Sequence, residues 1–187
     1  RGELLGEFRG EDRILVVSQN GFLKTIAPEL TTHFSDDMIV LEKWVPKKPL
    51  SVVYFDGKKE KYFAKRFLVE NENREEMFIS ENKGSFLELV STDWKPVIDV
   101  VFNKIRNKEQ RTNLKIVFDE FISIKGIRAQ GNRLSSHKVK QVNPLAPIDY
   151  IPPNEVSPTE IEAAVEDVTD NNDDGLEDST SNQVTLF

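Results

Sequence analysis

The chain contains few residues with the chemistry of a catalytic centre. Its 187 residues include two histidines, His33 and His137, and no cysteine, so thiol nucleophiles, disulfides and zinc-thiolate sites are excluded. No glycine-rich phosphate loop and no His, Asp and Glu cluster with metal-ligand spacing occurs in the sequence. Asp36 and Asp37 could hold a cation, but two adjacent acids more often form a solvated turn. The sequence therefore predicts no catalytic centre, metal or cofactor in this chain, and a hydrolase is the least favoured function.

Lysine and arginine are the residue types whose placement does suggest a function. They recur along strand-like runs and at predicted turns, and Lys58, Lys59 and Lys61 fall together at the tip of a predicted hairpin. Side chains that project from a rigid sheet in this way can contact nucleic-acid phosphates. Acidic residues are interspersed with them, and taken alone this pattern is more often an ordinary charged surface than a binding surface.

Charge is distributed unevenly along the chain, whose formal net charge is −7. Eleven of the 32 acidic residues follow Gln141, where there is no Lys or Arg, so residues 1–141 hold 25 basic and 21 acidic residues, a net charge of +4. A basic body with an acidic tail is one indication of contact with nucleic acid.

The elements that would position these cations are predicted to be β-strands. Short apolar runs alternate with turn residues, and no stretch keeps helical periodicity over several turns. Asn20-Gly21 favours a hairpin turn in which both central residues take positive φ. Single strands are predicted at 38–44 and 97–102. Four hairpins are predicted, with paired strands at 13–18 and 22–26, 50–55 and 61–69, 76–80 and 85–90, and 114–118 and 121–124.

A weak internal repeat accompanies these strands. Trp44 and Trp94 each precede proline and then an apolar strand. A few-strand unit that recurs every 40 to 50 residues or so is typical of propeller-like folds. A plain β-sandwich whose strands resemble one another fits the periodicity equally well.

The chain changes character after Gln141, where prolines and acidic residues replace the apolar runs. We expect a folded body at 1–141 and a disordered acidic tail at 142–187, because the tail cannot bury enough apolar surface to offset chain entropy. No apolar run approaches the length of about 18 residues that a membrane span needs. The absence of cysteine and of a signal peptide favours the cytoplasm, and the missing initial methionine indicates a piece of a longer chain.

Two segments carry a resemblance to a known family. Residues 11–24, Glu-Asp-Arg-Ile-Leu-Val-Val-Ser-Gln-Asn-Gly-Phe-Leu-Lys, resemble the blade motif of the C-terminal domains of gyrase and topoisomerase IV A subunits. Residues 124–139 resemble the closing segment of such domains, especially in topoisomerase IV of the Bacteroides lineage. The resemblance covers most of residues 1–141. The Gln-Arg-Arg-Gly-Gly-Lys-Gly box of gyrase does not occur here, which favours topoisomerase IV.

This resemblance implies a fold and a function. The fold is an all-β, propeller-like β-pinwheel of about four hairpin-based blades, either closed or open. Its basic outer rim binds and bends duplex DNA and presents it to a cleavage core elsewhere in the subunit. The rim residues expected here are Lys24, Lys58, Lys59, Lys61, Lys65, Arg66, Lys125, Arg128, Arg133 and Lys138.

The resemblance also implies a parent enzyme. That enzyme is an ATP-dependent, Mg²⁺-requiring type IIA topoisomerase at the nucleoid, with an A-subunit homodimer and a B subunit that hydrolyses ATP. None of Tyr54, Tyr62 and Tyr150 has the setting of the family's catalytic tyrosine. The alternative is a propeller-like protein-interaction module unrelated to topoisomerases. Duplex binding that weakens steeply with salt separates the two hypotheses.

The final five residues resemble a second, shorter motif. Gln183, Leu186 and Phe187 match the Gln-x-x-Leu-Phe peptide with which bacterial replication proteins dock on the polymerase sliding clamp. Leu186 and Phe187 are an apolar anchor at the end of a polar tail, as a short docking peptide requires. A chance match of five residues is the alternative.

Overall fold

The computed structural model describes residues 6–29, 33–70, 73–106 and 109–152. The predicted tail, including Gln183, Leu186 and Phe187, lies outside these residues. None of the helices within the described ranges is long and apolar enough to cross a membrane.

Eleven strands and one helical turn make up the described secondary structure, and all strand pairs are antiparallel. The elements are β1 (Ile14–Ser18), β2 (Phe22–Ile26), β3 (Met38–Lys43), β4 (Leu50–Asp56), β5 (Lys61–Phe67), β6 (Glu76–Met77), β7 (Phe86–Ser91), β8 (Val97–Phe102), β9 (Leu114–Val117), α1 (Phe118–Phe121), β10 (Asn132–Arg133) and β11 (Val139–Leu145).

The strands form three sheets, in the orders β3-β1-β2-β6, β7-β4-β5-β10 and β11-β8-β9. Each sheet is built on a hairpin, β1-β2, β4-β5 or β8-β9, and the first strand of that hairpin pairs with a later strand, β3, β7 or β11. In the first two sheets the second strand of the hairpin also has a partner: β2 pairs with β6, and β5 pairs with β10. Each of these partners has only two residues and follows the next hairpin along the chain. We call β6 and β10 the crossing strands.

The tryptophan repeat predicted from the sequence matches this plan. Trp44 lies between β3 and β4, and Trp94 lies between β7 and β8. Each therefore stands where the chain leaves one sheet for the hairpin of the next. Trp44 Nε1 donates a hydrogen bond of 3.2 Å to Val69 O, which ties this connection to the residues that follow β5 of the second sheet.

Two hydrophobic clusters hold the three sheets together. The second sheet lies between the other two and uses both faces, because successive side chains of a strand point in opposite directions. Val52 belongs to the cluster with Leu15 and Val17 of the first sheet. Val53, its neighbour, belongs to the cluster with Ile98 and Val100 of the third. The all-β prediction is confirmed apart from α1, but the described residues contain three sheets rather than about four, and they form no closed ring.

The first two predicted hairpins are confirmed. The turn of the first hairpin differs from the prediction in one respect. Of its two central residues only Gly21 has positive φ, at 86°, and Gly21 N donates to Ser18 O at 3.0 Å. A Cβ at position 21 would come within 2.3 Å of Ile79 Cγ1. Glycine is therefore required both by the backbone conformation and by this close approach.

The third predicted hairpin is wrong, because its two strands belong to different sheets. Met77 pairs with Phe22 of β2, whereas Phe86 pairs with Phe55 of β4. Phe78, only 1% exposed, packs between the first two sheets with its ring 5.8 Å from that of Phe67. Burial of this side chain favours the long-range pairing over a local hairpin.

The fourth predicted hairpin is also wrong. β9 pairs with β8 instead, and the following residues form α1, in which Ile122 N donates to Phe118 O at 3.0 Å. Phe118 and Ile122 are both buried in the cluster between the second and third sheets. In one helical turn, residues four apart lie on the same side and close together. In an extended strand such residues also share a face, but they lie farther apart.

The folded body continues past the predicted boundary at Gln141. β11 runs to Leu145, with Pro144 opposite Ile98, and the first of the chain's two units ends at Tyr150. β11 is an edge strand, where proline is tolerated because one side of the strand needs no donor.

Candidate nucleic-acid interface

The turn between β4 and β5 presents two of the predicted cations, Lys58 and Lys59, on a fixed backbone, and Lys61 follows as the first residue of β5. The Asp56 carboxylate accepts hydrogen bonds from Lys58 N at 3.0 Å and Lys59 N at 3.1 Å, and from Asn82 Nδ2 at 3.0 Å. Burial opposes ionisation of this carboxyl, but these bonds lower its pKa. The turn is thus held in place, while the side chains of Lys58 and Lys59 remain exposed.

A second segment, residues 134–138, joins the second sheet to the third at the same end of the molecule. Leu134 N donates to Tyr62 O in the second sheet at 2.9 Å, and Asn103 N donates to Lys138 O at 3.0 Å where β8 ends. The Arg133 guanidinium donates to Ser136 O at 3.1 Å. The segment is therefore anchored at both ends.

A cleft of about 290 Å³ lies between these two segments. Its lining includes Lys61, the first residue of β5, and Lys138, one residue before β11. Neither lysine forms an ion pair with a carboxylate of the described residues. We call this the basic cleft; its other lining residues are Phe55, Glu60, Tyr62, Asn103, Ser135, His137 and Val139.

Lys65 and Arg66 do not occupy the rim position predicted for them. They are consecutive residues of β5, so they point to opposite faces of a sheet whose two faces are both covered. Lys65 is 3% exposed. Its Nζ donates to Ile127 O and, at 3.2 Å, to Ala129 O, and burial lowers its pKa from 10.5 to about 8. Lys65 thus holds the segment that leads to β10.

Arg66 holds a connecting segment on the other face of the sheet in the same way. Its Nη2 donates to Trp94 O at 2.7 Å, and burial lowers its pKa although the nearby charge of Asp119 opposes that shift. The side chain fixes the connection into the third sheet. Neither Lys65 nor Arg66 is therefore placed to contact a phosphate.

The other predicted cations have contacts outside the basic cleft. Lys24 pairs with Glu75 at 3.2 Å, and Arg128, with 82% of its side chain exposed, lies 3.5 Å from Glu76. Arg128 lines a groove of about 680 Å³ whose wall also contains Glu75, Glu76 and Glu81. Lys59 Nζ donates to Gln130 Oε1 at 2.6 Å, and Lys125 Nζ donates to Asn132 Oδ1 at 3.3 Å. The ten predicted residues thus do not form a single surface.

Sequence reasoning did not identify Asn103, Ser135 and His137 as neighbours of Lys61. They become neighbours only through the packing of the second sheet against the third, for which the sequence shows no local signal. Within the described residues, no group of three or more His, Asp or Glu side chains could hold a metal ion.

Comparison with known proteins identifies a relationship for most of the chain. The family model described as "Topoisomerase C-terminal domain, Bacteroidota" matches residues 1–146. A search of curated proteins and a search of solved structures gave no match.

Proposed function

The chain belongs to the family of topoisomerase C-terminal domains of Bacteroidota, and from this premise we propose that it binds duplex DNA through the basic cleft and the cations around it. The observation that carries the proposal is the pair Lys61 and Lys138, the first in β5 of the second sheet and the second directly before β11 of the third, which line one cleft. Lys58 at the β4-β5 turn and Arg133 in β10 are exposed beside it. We leave Lys65 and Arg66 out of the proposed contacts.

The expected mode of binding is contact with phosphates rather than with base edges. The cations stand on backbone that is fixed by hydrogen bonds, so little ordering is needed when DNA binds. Contacts of this kind carry no sequence information and release counterions, which makes the affinity depend steeply on salt. We therefore expect similar affinities for duplexes of unrelated sequence.

Bending of the bound duplex is the second part of the proposal. Smooth bending of a site of 20 to 30 bp by 40° to 90° costs on the order of 1 to 6 kcal/mol, and added phosphate contacts offset that cost. A stack of three sheets offers a surface along which such contacts can continue. The family relationship supports this role, in which the domain presents DNA to a cleavage core.

The parent protein is proposed to be the A subunit of a type IIA enzyme close to topoisomerase IV. In that enzyme, Mg²⁺ and ATP belong to other parts of the assembly, with ATP used by the B subunit, and the A subunit forms a homodimer through another region. The chain itself is proposed to be a non-catalytic part that acts at the nucleoid in the cytoplasm.

The test measures binding of unrelated 30-bp duplexes by fluorescence anisotropy at several salt concentrations. The Lys61→Ala/Lys138→Ala double variant should weaken binding on all of them and reduce the magnitude of the slope of log K against log salt by about 0.9 for each lost contact. The matched control is Lys24→Ala/Lys115→Ala, which removes the same charge from strands outside the cleft. Equal loss in the two double variants, or no loss in the first, would contradict the proposed site.

The C-terminal peptide carries a separate proposal that rests on sequence resemblance alone. Gln183, Leu186 and Phe187 are proposed to dock on the polymerase sliding clamp, which would deliver the enzyme to sites where replication produces DNA links and supercoils.

A further inference from the structure

Three aromatic rings adjoin the basic cleft at the exposed ends of β4, β5 and β7. The ring centroids of Phe55 and Phe86 are 5.2 Å apart at an interplanar angle of 24°. Tyr62 lies 5.1 Å from Phe55 and 6.2 Å from Phe86, in edge-on arrangements. We call Phe55, Tyr62 and Phe86 the aromatic cluster.

One ring of this cluster, that of Phe86, leaves apolar surface exposed to solvent. Phe86 is 43% exposed, whereas the next residue of the same strand, Leu87, is buried. Full burial of a Phe side chain is worth about 1.5 to 3 kcal/mol, so the partly exposed ring of Phe86, which packs on the cleft residues Phe55 and Tyr62, forgoes part of this stabilisation. Exposed apolar surface bordered by polar groups is typical of a binding site.

Most of the groups around the cluster match the parts of a nucleotide; the exception is the Glu88 carboxylate, which accepts a hydrogen bond of 3.5 Å from the Tyr62 hydroxyl. Phe55 and Tyr62 line the cleft together with the ammonium groups of Lys61 and Lys138. Aromatic rings stack on nucleobases, and ammonium groups attract the phosphates of the same strand. The Asn103 amide and the Glu60 carboxylate, also in the lining, offer a donor and acceptors for the edge of a base.

We propose that the basic cleft and the aromatic cluster bind unpaired nucleotides of single-stranded DNA. In an intact duplex each base is covered on both faces by its neighbours, so the rings have no base to stack on, whereas a separated strand offers its bases freely. The inference extends the proposed function at the same site: the lysines serve both forms of DNA, and the rings serve the single strand only.

The test uses the full chain and two labelled probes, a 20-nucleotide oligothymidylate, which forms no duplex with itself, and a 20-bp duplex. Phe86→Ala should weaken binding of oligothymidylate by about five- to 150-fold, the range for loss of one base–aromatic stack, and should change duplex binding by less than about twofold. Phe86→Trp should keep the affinity for oligothymidylate, because indole stacks at least as well as phenyl.

Phe34→Ala is the matched control, because Phe34 is another exposed phenylalanine, 37% exposed, that belongs neither to the aromatic cluster nor to the lining of the cleft. Its affinity for oligothymidylate should equal that of the unmodified chain, and thermal unfolding should show that each variant is folded. Oligothymidylate binding that Phe86→Ala leaves unchanged, or no oligothymidylate binding at all, overturns the inference.

The two probes separate this inference from the proposed function. Duplex binding that depends on Lys61 and Lys138, without binding of oligothymidylate, overturns the inference and leaves the proposed function standing. Oligothymidylate binding that depends on Phe86, without duplex binding, supports the inference and overturns the proposed function.

Discussion

Lys65 makes the stability of the domain depend on pH in a direction opposite to that of an ion-paired lysine, whose pKa is raised in the folded chain. The residue is 3% exposed, and burial lowers the pKa of its ammonium from 10.5 to about 8. Below pH 8 the folded and unfolded chains both carry the proton, and the folded chain bears the cost of a buried charge. Between pH 8 and 10.5 the folded chain releases a proton that the unfolded chain keeps. The free energy of unfolding therefore rises with pH in this window.

The size of the rise follows from the same two pKa values. One pKa unit corresponds to about 1.4 kcal/mol, so the whole shift is worth about 3 kcal/mol, of which roughly 2 kcal/mol falls between pH 8 and pH 10. Tyr54 limits the upper end of the window. Burial raises its pKa from 10.0 to about 12, so above pH 10 the folded chain keeps a proton that the unfolded chain releases, and this tyrosine lowers stability there.

Loss of the Lys65 proton should not break the contacts that this side chain makes. A neutral amine still has two N–H groups, and its two acceptors are Ile127 O and Ala129 O. The segment that leads to β10 should stay attached throughout the titration. We therefore expect a change in stability with no change in the folded structure.

The assay is urea unfolding followed by tryptophan fluorescence at half-unit steps from pH 7.5 to pH 10. The difference in unfolding free energy between the unmodified chain and Lys65→Met should grow by roughly 2 kcal/mol over this range, because methionine has no proton to release. Lys125→Met, at an exposed lysine of the same connection, should follow the unmodified chain. Parallel profiles for the unmodified chain and Lys65→Met would refute the reasoning.

Three further predictions concern other parts of the chain. Gly57→Ala should lower the free energy of unfolding by about 1 to 3 kcal/mol, because the added Cβ would lie 2.1 Å from Lys83 O. A Cβ at Gly126 meets nothing within 4 Å, so Gly126→Ala should show no comparable loss from overpacking when the two variants are compared by urea unfolding. Truncation after Pro152 removes ten acidic residues and should tighten duplex binding at low salt but not near physiological salt, where the Debye length is about 8 Å; equal binding at low salt would count against a competing tail. A peptide of residues 179–187 should bind the sliding clamp of the same organism in calorimetric titration, and Leu186→Ala/Phe187→Ala should abolish the heat; a silent unmodified peptide would exclude this docking mode.

Local contacts were predictable from the sequence, and long-range strand exchange was not. The β1-β2 and β4-β5 hairpins were identified because a turn signal and both strands lie within one short window. The crossing strand β6 has only two residues, and its partner β2 is some fifty positions earlier. A pair of residues is too short to carry a strand pattern, so β6 was joined to its nearest neighbour in the sequence.

The sequence itself contains a reason why Lys65 and Arg66 could not both lie on the predicted rim. Once Lys65 and Arg66 are placed in one strand, alternation requires that they point to opposite faces, so they could not share one rim. The position of Lys138 beside Lys61 is a different matter. It depends on how the second and third sheets pack, and neither segment contains a pattern that predicts this packing.

The crossing strands determine how a domain of this kind can be divided. β10 completes the second sheet but comes after β8 and β9 of the third, just as β6 completes the first sheet from beyond the second hairpin. A cut in the chain between two sheets therefore removes a strand from the sheet that remains. The chain segment that contains one sheet also contains the crossing strand of the neighbouring sheet. A gene rearrangement that adds or removes one sheet must therefore include that crossing strand, so the repeating unit of the gene is offset from the repeating unit of the fold.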